Sequence, residues 1–159
     1  MNIVRDGADS FVRCPSCQTD IPIATHGQSW RINSPRDVAD RLMLDLGSEE
    51  RETLDVLLLN TKNVVIKQVR VYQGNLNSSL VRVGELFTEA VRQLAAGIIL
   101  VHNHPSGDPT PSPDDLHLTA EALAAGRLLD IQVLDHIVVT RDAYVSLRDR
   151  GISFDRTTA

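Results

Sequence analysis

From residue 34 onward the chain switches between two apolar rhythms. Ser34 is a helix N-cap residue, Pro35 stands at the first helical position and Asp37 at the third. Val38, Leu42 and Leu46 follow at helical spacing and Gly47 stands as a stop, so the spacing predicts a helix over 35–46. After the charged bridge Ser48-Glu49-Glu50-Arg51-Glu52, the stretch from Leu54 to Leu59 is a nearly continuous apolar run, the mark of a strand covered on both faces. Asn60-Thr61-Lys62-Asn63 is turn chemistry, and the run from Val64 to Tyr72, ending at Gly74, returns to form a hairpin. Helical spacing resumes with Leu86, Ala90, Val91 and Leu94, and Gly97 to Val101 is a further buried strand. From His102 onward Pro105, Gly107, Pro109 and Pro111 force a loop. Ser112-Pro113-Asp114-Asp115 opens the next helix, with Leu116, Ala120, Leu123 and Ala124 as its apolar positions and its end at Gly126 or just past it. Ile131 to Val139 reads as a strand and Tyr144 to Leu147 as a short edge strand, with a polar, loose tail from Asp149. This order predicts a mixed α/β layer structure, with helices packed on a sheet. Residues 1–30 mix Gly, Ser, Asp, Pro and Thr without a sustained apolar period, and stand apart from a domain over 31–159.

Composition narrows the class. The chain has 159 residues, 42% apolar and 23% charged, enough for one ordinary core. Sixteen Lys and Arg against 21 Asp and Glu leave a formal charge of −5, which speaks against a general phosphate-binding surface. No uncharged apolar run approaches membrane-spanning length, and MNIVRDGADSF lacks the apolar core of a secretory signal. The two cysteines, Cys14 and Cys17, build no disulfide framework, so a cytoplasmic location is expected.

The chemistry concentrates at His102-x-His104. Residues two apart in an extended chain point to one side, so two imidazoles at a strand's mouth can share one metal ion. Asp115 lies eleven residues on, in the first turn of a helix, across a Pro-rich loop. Two neutral histidines and one carboxylate suit a borderline metal, most naturally Zn²⁺, one per chain. Three protein ligands leave a position for water, which is the catalytic pattern. A carboxylate that takes the water's proton must come from elsewhere. Glu49, Glu50 and Glu52 all precede the strand at 54–59 and could deliver one.

These residues match a known pattern. His102-Asn103-His104-Pro105, then six residues, then Ser112-x-x-Asp115, resembles the JAMM motif of the MPN+ metalloproteases. HNHPSGDPTPSPDD, preceded by LDVLLLNTKNVVI and followed by LLDIQVLDHIVV and AYVSL, resembles the bacterial RadC family over about residues 31–154. The resemblance implies a mixed sheet flanked by helices, related to the cytidine deaminase fold, although the deaminase signature itself is absent. It implies His102, His104 and Asp115 as zinc ligands, Glu52 as the catalytic glutamate and Ser112 as the hydroxyl that steadies the oxyanion. It further implies hydrolysis of a protein or peptide amide, with ubiquitin-like conjugates among the candidate substrates.

Plainer readings stand beside these. Ser112-Pro113-Asp114-Asp115 is also close to a capping box, and a cap would rigidify a ligand. His136 and Asp135 read as polar residues at the core's edge, with support of a ligand as the alternative, and His117 reads as a helix-surface residue. Cys14-x-x-Cys17 is half a zinc knuckle; completing it needs His26, another side chain or a second subunit, so reduced thiols are the reading taken. Longer RadC-like chains carry a helix-hairpin-helix DNA-binding region that residues 1–30 cannot hold. Val83-Gly84-Glu85 stands where the family commonly has Pro-Arg-Glu, at a helix start. The alternative function, a non-catalytic zinc-containing module of DNA maintenance, is disfavoured by the acidic balance.

Overall fold

The computed structural model describes three short strands within residues 1–29, and residues 30–74 and 81–154 in full. The chain divides into two units, Met1–Trp30 and Arg31–Ala159. In the first, β1 (Ile3–Asp6), β2 (Asp9–Arg13) and β3 (Asp20–Pro22) pair in order as an antiparallel meander. Strands of three to five residues are too short to show a period in sequence, which is why none was expected there. Cys14, Cys17 and His26 lie outside the described residues.

In the second unit the long apolar runs become the centre of a five-stranded mixed sheet, ordered β5-β4-β6-β7-β8. The strands are β4 (Glu52–Leu59), β5 (Val65–Gly74), β6 (Gly97–Asn103), β7 (Gln132–Val139) and β8 (Tyr144–Ser146). All pairings are antiparallel except β6 with β7, which are parallel and joined through a helix, as a parallel connection requires. Every residue of β6, and every residue of β4 from Thr53 on, is buried, because helices cover both faces of the sheet. Helices α2 (Val83–Arg92) and α3 (Pro113–Leu129) cover one face. There Leu86, Phe87, Ala90, Leu118 and Ala122 join Leu54, Val56, Leu58, Ile98 and Leu100 in one core cluster. The alternate strand positions, Leu57, Leu59, Ile99 and Val101, point the other way, where α1 (Pro35–Leu42) packs against β7. Among the described residues no helix is long and apolar enough to cross a membrane.

Several boundaries differ from the sequence reading, each for a physical reason. Helix α1 stops at Leu42 rather than 46, and Gly47 falls in a 3₁₀ turn over Leu46–Ser48. That glycine allows close approach: a Cβ there would collide with the Thr140 carbonyl oxygen. Strand β6 continues through His102 and Asn103 instead of ending at Val101. The buried face of α3 is Asp115, Leu118, Thr119, Ala122 and Gly126, while Leu116, Ala120 and Ala124 are exposed. Helix α3 ends just past Gly126, as expected, at Leu129, capped by Asp130 in the left-handed region at φ 57°. On α2, Leu86 and Ala90 are buried, whereas Val91 is exposed and so is Leu94, which lies beyond the helix. The tail is not loose through Phe154, whose ring is buried in the core.

Candidate metal centre

Strand β6 delivers its last residues to the edge of the core already buried. His102 is fully buried on the α3 side of the sheet and His104 lies just past the strand, where its N–H donates to the Val139 carbonyl at 2.9 Å. Helix α3 brings Asp115 to them. Ser112 is the N-cap and Pro113 the first helical residue, so Asp115 sits at the third position of the helix, nearly fully buried. The capping box is reciprocal: Asp115 N–H donates to Ser112 Oγ at 3.2 Å, and Ser112 N–H and Oγ–H donate to Asp115 Oδ2 at 2.6 and 2.7 Å. The cap therefore fixes the carboxylate's orientation.

The three side chains converge. His102 Nε2 and His104 Nε2 are 2.9 Å apart. His102 Nε2 is 3.1 Å from Asp115 Oδ1, and His104 Nε2 is 3.5 Å from Oδ2. One donor atom from each residue lies within 4.8 Å of the others. His104 Nδ1 is 2.8 Å from the Asp108 carbonyl oxygen, which can only accept, so Nδ1 carries a proton; when the ring is neutral, its lone pair faces the cluster from Nε2. Asp115 Oδ1 is buried and has no hydrogen-bond partner, since the approach of His102 lacks hydrogen-bond alignment. A buried carboxylate oxygen left so is costly unless a cation takes it. The donor set thus fits a divalent ion, which these three residues could hold.

Electrostatics agree with a centre built for positive charge. Burial raises the Asp115 carboxyl, but the two imidazoles beside it outweigh burial and hold it well below the usual carboxylate range. Asp115 raises the His104 imidazole against burial, with the Asp108 carbonyl and the charge of Glu52 adding to the effect. The strand register places Glu52 nearby. Leu54 pairs with His102 across β4 and β6, and continuing the antiparallel register by two residues brings Glu52 level with His104, on the same face. Glu52 is half-buried, Glu50 is exposed, and the Glu49 carboxylate is paired with Arg70 at 3.0 Å. Arg70 also reaches buried Asp55 at 2.9 Å, on the opposite side of the sheet from His102.

Other polar residues surround the cluster; of these, the sequence offers only His136 and Asp135, as core-edge residues or as support of a ligand. Asn103 alternates with the histidines and faces away from them. Its Oδ1 accepts from Thr53 N–H at 2.7 Å and Thr53 Oγ–H at 2.9 Å, and its Nδ2 donates to the carbonyls of Glu49 and Arg51 at 3.3 and 3.1 Å. One amide thus clamps the backbone on both sides of Glu52. Behind His102, on β7, His136 is fully buried, and burial pushes its imidazole down to about 3. Asp135 anchors the neighbouring strand end, accepting from His136 N–H, Ser146 Oγ–H and Arg148 N–H. The signal for Asn103, Thr119 and His136 was a polar residue at a position the strand or helix pattern makes internal, which must find partners. His117 is on the surface, near Glu121 at 3.7 Å. A cavity of about 310 Å³ lined by Ile32, Leu59, Ile99, Ile137 and Arg148 lies on the other face of the sheet and includes none of the three converging residues.

The chain is thus a mixed α/β domain with a His/His/Asp cluster at the end of a central strand that could hold a metal ion. The model of the RadC-like JAB domain family matches residues 32–152, and the chain belongs to that family. A UPF0758 protein of Chloroflexus aggregans is 52% identical over 128 residues, which is 80% of this chain and 56% of that protein. A UPF0758 protein of Roseiflexus castenholzii is 48% identical over 132 residues, 83% of this chain and 57% of that one. One from Clostridium botulinum is 44% identical over 125 residues, 79% and 55%. The chain spans little more than half the length of these curated relatives.

Proposed function

We propose that this domain is a zinc-dependent amide hydrolase acting on a protein or peptide amide or isopeptide. The observation that carries the reading is the cluster itself: His102, His104 and Asp115 converge, with Asp115 Oδ1 buried and unpartnered. Membership of the JAB family, in which metalloproteases occur, supports it. A zinc ion there would supply Lewis-acid polarisation of water and of the scissile carbonyl.

The chain's own residues do the rest. His102 and His104 would present neutral Nε2 lone pairs and Asp115 one negative charge, so a divalent ion held there would keep a net positive charge toward substrate. Glu52 is the general base: level with His104, it takes the proton of the attacking water and returns it to the leaving amine. Ser112 contributes mainly through Asp115, because its hydroxyl proton is committed to Oδ2 at 2.7 Å. Turning that hydroxyl toward a developing oxyanion would forfeit this bond, so its direct share in transition-state stabilisation is the smaller one.

The test is metal content together with cleavage of a peptide library. We expect about one zinc per chain, lost in His102→Ala. We expect Glu52→Gln to keep the zinc and lose activity by roughly 10²–10⁴-fold. Undiminished cleavage by Glu52→Gln would remove Glu52 from the mechanism, and wild-type protein that binds no divalent ion would remove the reading.

A further inference from the structure

Resting on the metal reading, the polar chain behind His102 has a direction that can be worked out atom by atom. Thr119 lies one turn after Asp115 on α3, and its Oγ is 2.6 Å from the Asp115 main-chain carbonyl oxygen. A carbonyl only accepts, so the hydroxyl donates there. Thr119 Oγ is also 2.7 Å from His136 Nδ1. With its one proton spent, the hydroxyl must accept, so His136 carries its proton on Nδ1. The fully buried His136 ring is neutral, which leaves a lone pair on Nε2. That Nε2 is 2.8 Å from His102 Nδ1. His102 must therefore donate from Nδ1, and the lone pair on its Nε2 faces His104 and Asp115.

We infer that Thr119 and His136 are positioning residues that set the tautomer of the His102 ligand. The order of donation runs His102 to His136 to Thr119 to the backbone of Asp115. It starts at one metal-binding residue and ends on another, and links strands β6 and β7 to the first turns of α3. A neutral imidazole with a free choice of tautomer spends part of its time with a proton on the ligating nitrogen, and each such molecule must shift that proton before binding an ion. The chain removes this choice. A ligating histidine is ordinarily held from behind by a carboxylate or a carbonyl. Here the acceptor is a second imidazole, whose own tautomer is set by a hydroxyl, so the specification reaches back to a threonine that no ligand-spacing pattern would include.

The experiment uses the full chain with ¹⁵N-labelled histidine at pH 8, stripped of metal and then reloaded with Zn²⁺. Long-range ¹⁵N–¹H correlation reads the tautomer of each ring, and chelator competition reads zinc affinity. In the wild type, His102 and His136 are expected to be protonated on Nδ1 with and without zinc. Thr119→Val keeps the side chain's shape but removes the hydroxyl; a mixed or inverted tautomer at His102 and a roughly 10–100-fold loss of zinc affinity are expected. Thr119→Ser should restore both to within about threefold of wild type, which a packing role for the threonine methyl would not do. His102 protonated on Nε2 in the metal-free wild type overturns the inference without any substitution, so a variant that fails to fold does not shield it. Zinc binding by Thr119→Val within threefold of wild type also overturns it. If the wild type binds no zinc yet shows the stated tautomers, it is the metal reading that fails.

Discussion

Removing the Asn103 amide should loosen Glu52 while leaving His102, His104 and Asp115 in place. Asn103 and Thr53 are both fully buried. Substitution by alanine strips the acceptor from Thr53 N–H and Oγ–H, and the donor from the carbonyls of Glu49 and Arg51. Stranding a buried donor costs about 1–3 kcal/mol. The two carbonyls lie on the segment leading into β4, where water can replace the amide. The Thr53 pair therefore dominates, and Asn103→Ala should destabilise the domain by about 2–4 kcal/mol. At roughly 2–4 °C per kcal/mol for a domain of this size, the melting temperature should fall by about 10 °C. Urea titration gives the free energy directly. Zinc affinity should change by less than about tenfold, since the amide touches none of His102, His104 or Asp115, whereas kcat should fall because Arg51 and Thr53 flank Glu52. Asn103→Asp makes a sharper control. It keeps the acceptor but points a carboxylate oxygen at two carbonyls, which raises its pKa in the folded state. The folded protein then binds more protons than the unfolded one, so stability falls as pH rises through that window and recovers in acid. A stability of Asn103→Ala within 0.5 kcal/mol of wild type, about the effect of an ordinary surface change, would refute the clamp.

Gly126→Ala tests the packing of α3 on the sheet: helix propensity alone favours alanine by about 1 kcal/mol. A Cβ there would sit 2.6 Å from the Ile131 carbonyl oxygen and 3.0 Å from Val133 Cγ2. Overpacking of that kind costs about 1–3 kcal/mol, so net destabilisation in urea is expected and a stabilised variant would contradict it. Asp37 accepts from the N–H groups of Asn33 and Ser34 at 2.8 Å each, and these bonds lower its pKa. Its contribution is present above the unfolded carboxylate range and lost as pH falls through the depressed folded value, so Asp37→Asn should be less stable than wild type at pH 7 and nearly equal to it in strong acid. An equal gap at both pH values would remove the assignment. Zinc at 100 times its Kd should stabilise the wild type by about 2.7 kcal/mol, raising the melting temperature by roughly 5–11 °C, with no shift in His102→Ala. An unshifted wild type at that excess would count against the centre.

What the sequence made legible was the part governed by local spacing. The run from Leu54 to Leu59 and that from Gly97 to Val101 had to be interior strands, because continuous apolar runs have no solvent face to offer, and both are buried on both sides. His102 and His104, two apart at a strand's end, and Ser112 with Asp115 in a capping pattern, were legible for the same reason, since each pair's geometry is set within one element. Glu52 reaches the cluster only through the pairing of β4 with β6, a register that no local pattern specifies. The end of α1 is not legible locally, because glycine signals a helix stop by itself, whereas Gly47 is there for its closeness to Thr140 across the fold.

The differences on β6, α3 and β7 share one cause. The apolar pattern ends β6 at Val101 because His102 and Asn103 are polar, and it runs the apolar face of α3 through Leu116 and Ala120 because Asp115, Thr119 and Gly126 are not apolar. For the same reason it puts His136 at the core's edge, although the residue is wholly buried. Hydrophobicity misplaces these residues because a polar group is buried, and burial of a polar group is tolerated only where partners wait for it. His102, Asp115, Thr119 and His136 are each other's partners, and Asn103 is satisfied by Thr53 and the backbone before β4. The misreadings on β6, α3 and β7 thus fall together in space at the cluster, where local consistency gives way to the demands of a site. A second set of interior polar positions, Asp135 with Ser146 and the Arg148 N–H, is satisfied in the same manner on the far side of β7. It lacks converging lone pairs and an unpartnered oxygen, which is the difference between a polar network that only holds strands together and one that could also hold an ion.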